Sequence, residues 1–219
     1  MIFDLPFAAE ILPALLEALV VTVEATLLGT LLALVLGLVW ALLRRSRRRW
    51  LAGPVRWAVD FVRSTPLLIQ LYFLYFGLPV FGVAASPLLT GIVGLGLHYS
   101  TYCSEVYRAG IEGVPRGQWD AARALGFRRL DTWCRVVLPQ AIPPIVPALG
   151  NYLISMFKDS PLLAAITVTE LLQTAKIIGA ERFRYLEPLT LVGLLFLAVS
   201  LVASRGVRWL ESRLVVRHA

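Results

Sequence analysis

Four stretches of the chain carry no charged residue: 25–43, 64–104, 136–157 and 188–204, of 19, 41, 22 and 17 residues. A membrane-crossing helix needs about 20 largely apolar residues. The 41-residue stretch is long enough for two crossings, and Gly77, Pro79, Gly82, Ser86 and Pro87 place a turn near its middle. The pattern predicts five spans, roughly 14–43, 57–77, 87–110, 138–167 and 188–209, the first and fourth extended at one end by less strictly apolar residues. The expected fold class is all-α, a polytopic membrane protein, with 1–219 read as a single transmembrane domain without linker, low-complexity tail or internal repeat. No basic stretch precedes the first apolar segment and no small-residue cleavage site follows it, so that segment is expected to stay as a span.

Composition agrees with this reading. Of 219 residues, 58% are hydrophobic and 16% charged, against about 45–50% and 25% in soluble domains. A disordered, collagenous or disulfide-stapled chain is excluded by the apolar content, the lack of a Gly-X-Y period and the two cysteines. Cys103 and Cys134 fall near or in cytoplasmic segments and read as reduced thiols. The net charge of +7 suggests either nucleic acid or the inner face of a membrane, and the positions of the charges decide. Loop 44–56 holds Arg44, Arg45, Arg47, Arg48, Arg49 and Arg56; loop 108–135 holds Arg108, Arg116, Arg123, Arg128, Arg129 and Arg135; the tail adds Arg205, Arg208, Arg213 and Arg217. Hairpin 77–88 is uncharged, segment 170–187 balances Glu170, Glu181 and Glu187 against Lys176, Arg182 and Arg184, and the first residues are acidic, with Asp4, Glu10 and Glu17. This alternation predicts a multi-pass protein with its N-terminus outside and its C-terminus in the cytoplasm. The basic excess is a topology signal, and no nucleic-acid partner is expected.

Polar groups within the spans are candidates for function. Lys158 and Asp159 fall about 20 residues into the fourth segment and point about 100° apart. Pro161 removes an N–H, which is expected to leave the Phe157 carbonyl unpaired and to kink or break the helix. Broken helices at this depth commonly line a substrate path. Asn151, Ser155 and Asp159 share a face at i, i+4, i+8 spacing and give that path a polar stripe. The alternative is a buried ion pair and a packing amide that hold the helix to its neighbours. Gln70, His98 and Glu24 are further candidates, although His98 also fits a packing role and Glu24 the outer headgroup level. Gly29, Gly37, Gly91, Gly94 and Gly96 read as close-packing positions.

The second basic loop and the start of the next span, 116–139, read RGQWDAARALGFRRLDTWCRVVLP. A helix over Gln118–Leu125, a left-handed turn at Gly126 and a second helix over Leu130–Leu138 are predicted, with Pro139 opening the fourth span. The spacing alone also resembles a helix-turn-helix, but both ends are tied to spans and no recognition helix is free to reach a groove.

This loop is similar to the EAA motif of ABC importer permeases, E-A-A-x3-G-x9-I-x-L-P. Asp120, Ala121, Ala122, Gly126, Val136, Leu138 and Pro139 stand in register, with Asp for Glu and Val for Ile. The run Phe61-Val62-Arg63-Ser64-Thr65-Pro66-Leu67-Leu68-Ile69-Gln70 resembles a segment of the polar amino-acid uptake permeases, as do Glu105–Ile111 and Lys158–Leu162. Within that family, Leu149–Leu191, with Ala175-Lys176-Ile177-Ile178-Gly179 and Phe183-Arg184-Tyr185-Leu186-Glu187-Pro188, looks closest to ectoine/hydroxyectoine permeases. The resemblance implies a permease subunit of an inner-membrane importer, with the seven EAA positions contacting a cytoplasmic ABC ATPase. It further implies a second permease chain, identical or related, to complete the path, and an extracytoplasmic substrate-binding protein to deliver the cargo.

No phosphate loop of the G-x4-G-K-[ST] type is present, so ATP is expected to be used by the partner and no cofactor is expected on this chain. No metal-ligand cluster or nucleophile–base pair stands out, and the chain is not expected to be an enzyme. Two rival readings remain: a secondary transporter of a small polar solute, which needs its own ion-coupling carboxylates, and a membrane enzyme using Lys158 and Asp159.

Overall fold

The computed structural model describes residues 3–46 and 48–215. Arg47 and Arg217, both counted in the orientation argument, lie outside the described residues. The described chain is helical throughout, joined by short turns.

Helix α1 (Leu5–Arg44) starts nine residues before the predicted span. Asp4 caps it, its Oδ1 accepting from the Phe7 N–H at 3.2 Å, and Pro6 sits in the first turn, where a missing donor costs nothing. Its 40 residues rise about 60 Å, twice the hydrocarbon thickness of about 30 Å, so the helix is longer than one crossing needs. One face is lined with small residues (Ala18, Thr22, Ala25, Gly29, Ala33, Gly37), which lets α4 (Pro87–Glu112) approach along its length. A Cβ on Gly37 would stand 2.6 Å from Cys103 Cβ and 2.9 Å from the Ser100 carbonyl, so glycine is required there. The core around this seam contains Leu71, Leu95, Met156, Leu163 and Ile166.

Three helical runs are long and apolar enough to cross a membrane: Leu5–Arg44, Arg129–Ile166 and Leu186–Leu214; a bent pair makes a fourth. The predicted count of five is therefore approximate. Helix α4 is absent from this set because it is packed inside the bundle: Thr90, His98, Ser100, Thr101 and Ser104 are buried against protein, so lipid-facing apolarity is not needed.

The predicted continuous span 57–77 is corrected. Helix α2 (Arg49–Ser64) and the run Leu67–Phe81 meet at 105°. Pro66 holds Thr65 extended, at φ −99° and ψ 135°, and brings no N–H to continue the ladder. After the break come α3 (Leu67–Tyr72), a widened π turn (Phe73–Gly77) and a 3-10 turn (Leu78–Phe81).

The predicted helix Leu130–Leu138 and the span after it are likewise one run. Helix α5 (Arg116–Ala124) is followed by α6 (Arg129–Asp131), which passes through a π turn (Thr132–Val137) into α7 (Leu138–Asp159). Pro139 therefore lies inside a continuous helical path. The widened turn before it absorbs the missing donor, and Gln140 Nε2 donates to the Val136 carbonyl at 2.7 Å.

Segment 170–187, read from sequence only as charge-balanced, contains α8 (Leu171–Arg182), wedged against α1 and α9 (Leu186–Val215). The fully buried Glu170 caps α8, accepting from the Gln173 and Leu172 N–H groups at 2.7 and 2.9 Å, and Leu171 N–H donates to Thr22 Oγ1. Burial pushes the Glu170 carboxyl pKa up, against the pull of those two donors.

Charge clusters tie both ends of the bundle. At one, Arg184 bonds Asp4 at 3.0 Å and Glu187 at 2.6 Å and lies over the Phe7 ring, while Arg182 pairs with Glu10. At the other, Glu105 receives Arg44 at 2.7 Å, Arg108 at 2.7 Å and Arg63 at 3.5 Å, joining α1, α2 and α4.

Candidate functional site

Two sets of residues stand apart from simple packing. The first is the hairpin formed by α5 and the turn after it. Pro115 precedes α5, and α5 ends where Gly126 takes φ +74°. Gly126 N–H donates to the Arg123 carbonyl and Phe127 N–H to the Ala122 carbonyl, both at 3.0 Å, which closes the helix end and reverses the chain. A Cβ on Gly126 would meet nothing within 4 Å, so the requirement for glycine is one of backbone conformation rather than space.

Ala122 is buried, whereas Ala121 and Asp120 are exposed, Asp120 paired with Arg123. A larger side chain at 122 would lift α5 from its support. That support is the widened turn: Trp119 meets Trp133 edge-to-face at 5.3 Å, and Gln118 Oε1 accepts from Gln140 Nε2 at 3.4 Å. Val136 is half-buried in this turn, and Leu138 and Pro139 are exposed at the start of α7. The seven motif positions thus occupy one exposed helix, its turn and the helical segment beneath it. Trp119, Trp133 and Gln140, which fix that geometry, were not singled out by spacing; two tryptophans flanking the turn glycine were the available signal.

The second set lies in the interior of the bundle. Helix α7 ends at Asp159, and Ser160–Ile166 forms a 3-10 turn, so the predicted break at Pro161 is present. The Phe157 carbonyl, expected to be unpaired, accepts instead from the Ser160 N–H and from Ser160 Oγ, the latter at 2.7 Å. Asp159 Oδ2 accepts from the Tyr99 hydroxyl at 2.7 Å. Lys158 is exposed, and no carboxylate among the described residues lies within ion-pair distance of it, so Lys158 takes no part in a buried ion pair. Asn151, Ser155 and Lys158 run along an exposed face of α7. In this chain alone that stripe is open on one side.

Gln70 and His98 are brought together, Gln70 Oε1 standing 3.3 Å from His98 Nδ1. Gln70 Nε2 also donates to the Val62 carbonyl at 2.6 Å and the Thr65 carbonyl at 2.9 Å, supplying donors at the break made by Pro66. Its polar atoms are thus committed to protein partners. The rings of His98, Tyr99, Tyr102 and Tyr152 cluster beside Asp159, His98 and Tyr102 at 5.3 Å and Tyr102 and Tyr152 at 5.5 Å. Tyr152 was not anticipated, since its pairing with α4 depends on the packing of two distant helices.

A multi-pass helical bundle with an exposed two-helix hairpin at one end and a polar helix face left open is the architecture of a membrane transport component. Residues 33–216 match the family described as the binding-protein-dependent transport system inner membrane component, and the chain belongs to that family. It is 48% identical over 214 residues, covering 98% of this chain and 93% of the relative, to the probable amino-acid ABC transporter permease protein y4tG of Sinorhizobium fredii. It is 34% identical over 97% of its length, and 96% of the relative's, to the probable amino-acid ABC transporter permease protein PatM of Vibrio harveyi. Its fold is similar to a chain in the crystal structure of an amino acid ABC transporter with histidines, with a TM-score of 0.92 at 32% identity, over 97% of this chain and 100% of the other.

Proposed function

We propose that this chain is the permease subunit of an ABC importer for polar amino acids or amino-acid-like compatible solutes, with ectoine and hydroxyectoine as the favoured cargo. The hairpin carries this reading: Asp120 and Ala121 are presented outward on α5 while Ala122 and the Trp119–Trp133 contact lock α5 to the helical run below. A helix held in this way transmits a displacement at its exposed face into α7 as a rigid unit. The force comes from a cytoplasmic ATPase subunit that binds and hydrolyses ATP; this chain supplies Asp120, Ala121, Ala122, Gly126, Val136, Leu138 and Pro139 as the coupling surface. The N-terminus lies outside and the C-terminus in the cytoplasm, in line with the arginine distribution.

The open face of Asn151, Ser155 and Lys158, with Asp159 beside the tyrosine cluster, suits a zwitterionic solute: it offers a cation, an anion, hydrogen-bonding groups and aromatic surface. Gln70 and His98 adjoin this path and set its wall. One chain supplies half of the wall, and a second permease chain, identical or related, closes the other half. An extracytoplasmic binding protein delivers the cargo. The names of the relatives support the amino-acid class, and the similarity of 149–191 to ectoine permeases supports the narrower cargo. The test is affinity capture of the tagged chain from native membranes. Recovery of a stoichiometric ABC ATPase is expected; a chain that transports its solute with no ATPase attached contradicts the proposal.

A further inference from the structure

Of the seven coupling positions, only Asp120 lines a groove that lies beside α5. It has a volume of about 950 Å³ and lies between the end of α1, the end of α4, and α5 with the segment after it. Its lining includes the carboxylates Glu112 and Asp120, and both are already paired, Glu112 with Arg108 at 2.6 Å and Asp120 with Arg123. Arg45, Arg116 and Arg129 also line it, and among the described residues none of the three has a carboxylate within ion-pair distance. The lining thus carries four arginines, Arg123 included, against two carboxylates, and among the described residues three of the arginines are exposed and without an ion-pair partner.

The rest of the lining is not that of a site for a fully hydrated anion. Ile111 and Val114 are buried at its floor, Trp119 and Trp133 supply indole faces, and Arg45 lies 5.7 Å over the Trp133 ring. The surface continues onto α1, where Leu38 and Leu42 precede Arg45 at helical spacing and are both exposed. Charged rim, indole wall and adjoining apolar helix face match the three zones of an amphiphile. Tryptophan and arginine at a membrane boundary, and basic pockets among membrane helices on the cytoplasmic side, are features that recognise anionic headgroups.

We propose that this groove holds an anionic phospholipid of the inner leaflet, its phosphate against Arg45, Arg116 and Arg129, its glycerol region against Trp119 and Trp133, and its acyl chains along Leu38 and Leu42. The lipid fills the space behind α5 and makes the hairpin's position depend on membrane composition. The inference rests on the cytoplasmic placement of this face proposed above.

The test uses the assembled permease complex in nanodiscs of phosphatidylglycerol or of phosphatidylcholine, with native mass spectrometry of the lipid retained after extraction. Wild type is expected to retain phosphatidylglycerol and not phosphatidylcholine. The double variant Arg45→Gln/Arg129→Gln is expected to bind phosphatidylglycerol about twenty-fivefold more weakly, from about fivefold per arginine at a membrane surface. Arg45→Lys, which keeps the charge, is expected to retain the lipid and guards against a misfolded double variant. Equal retention of the two lipids, or undiminished phosphatidylglycerol in the double variant, overturns the proposal. So does displacement by excess inorganic phosphate, which identifies a small-anion site, or lipid retained by the isolated permease but lost in the complex, which assigns the groove to the ATPase. Failure of the underlying orientation is read separately: thiol labelling of a cysteine at Ser46 from outside the cell would place the whole face on the other side.

Discussion

Gly126 and Asp159 are the residues at which single atoms decide the most. At φ +74°, any side chain at 126 costs about 1–2 kcal/mol of backbone strain, and a β-branched one more. Because open space surrounds that position, Gly126→Val is expected to turn α5 away rather than unfold the bundle. Solute uptake should collapse while the amount of membrane-inserted protein, measured by immunoblot of washed membranes, stays at the wild-type level. Asp159→Asn keeps an acceptor for the Tyr99 hydroxyl and removes the charge. Uptake is expected to fall or change its solute preference, with ligand-independent ATPase activity of the complex retained. Joint loss of assembly and basal ATPase would instead assign Asp159 to holding α7 in place. The Asp159–Tyr99 contact was not legible from spacing, because the two residues are 60 apart and meet only through the packing of α4 on α7. The seven positions of the EAA-like motif, by contrast, lie within twenty consecutive residues and were readable as a local pattern.

At the scale of elements, the structure depends on how interrupted helices are repaired. Gln70 spans the break at Pro66 by donating from Nε2 to two carbonyls and accepting at Oε1 from His98 Nδ1. Gln70→Leu removes those partners and is expected to cost about 1–3 kcal/mol, read as a lower melting temperature of the purified complex. An unchanged melting temperature with an altered KM for solute would show that Gln70 serves the cargo rather than the break. The outer clasp has a pH signature. The Phe7 N–H, and then Arg184, hold the Asp4 carboxyl below its ordinary value of 3.8. Its contribution is complete above that ordinary value and is lost as pH falls through the lowered folded value. Protection of the first-turn amides of α1, taken as the exchange rate relative to the intrinsic rate at each pH, should therefore be unchanged between neutral and mildly acidic pH and fall only in strong acid. Helices α1, α4, α7 and α9 were visible as uncharged runs. The bend at 105° was not, although Arg63-Ser64-Thr65-Pro66 interrupts the apolar pattern and a proline there disfavours a continued helix. Nor was α8, whose start is held by Thr22, a residue 149 positions away.

For the whole molecule, orientation and energy source are the properties that matter. After replacement of Cys103 and Cys134, a cysteine at Ser46 is expected to be shielded from an impermeant thiol reagent in intact cells and one at Ser86 to be labelled. Reversal would put the coupling hairpin on the face opposite to a cytoplasmic ATPase. On the proposed reading the chain is a conduit and a lever: it has an open polar face along α7 at one level and an exposed helix at another, joined through one helical run from Arg129 to Ile166. Solute uptake by proteoliposomes containing the permease, its ATPase and its binding protein tests this account most directly. Uptake should require enclosed or added ATP on the hairpin side together with the binding protein on the other, and should be indifferent to imposed ion gradients. Uptake by the permease alone, driven by a proton or sodium gradient without ATP, would contradict it.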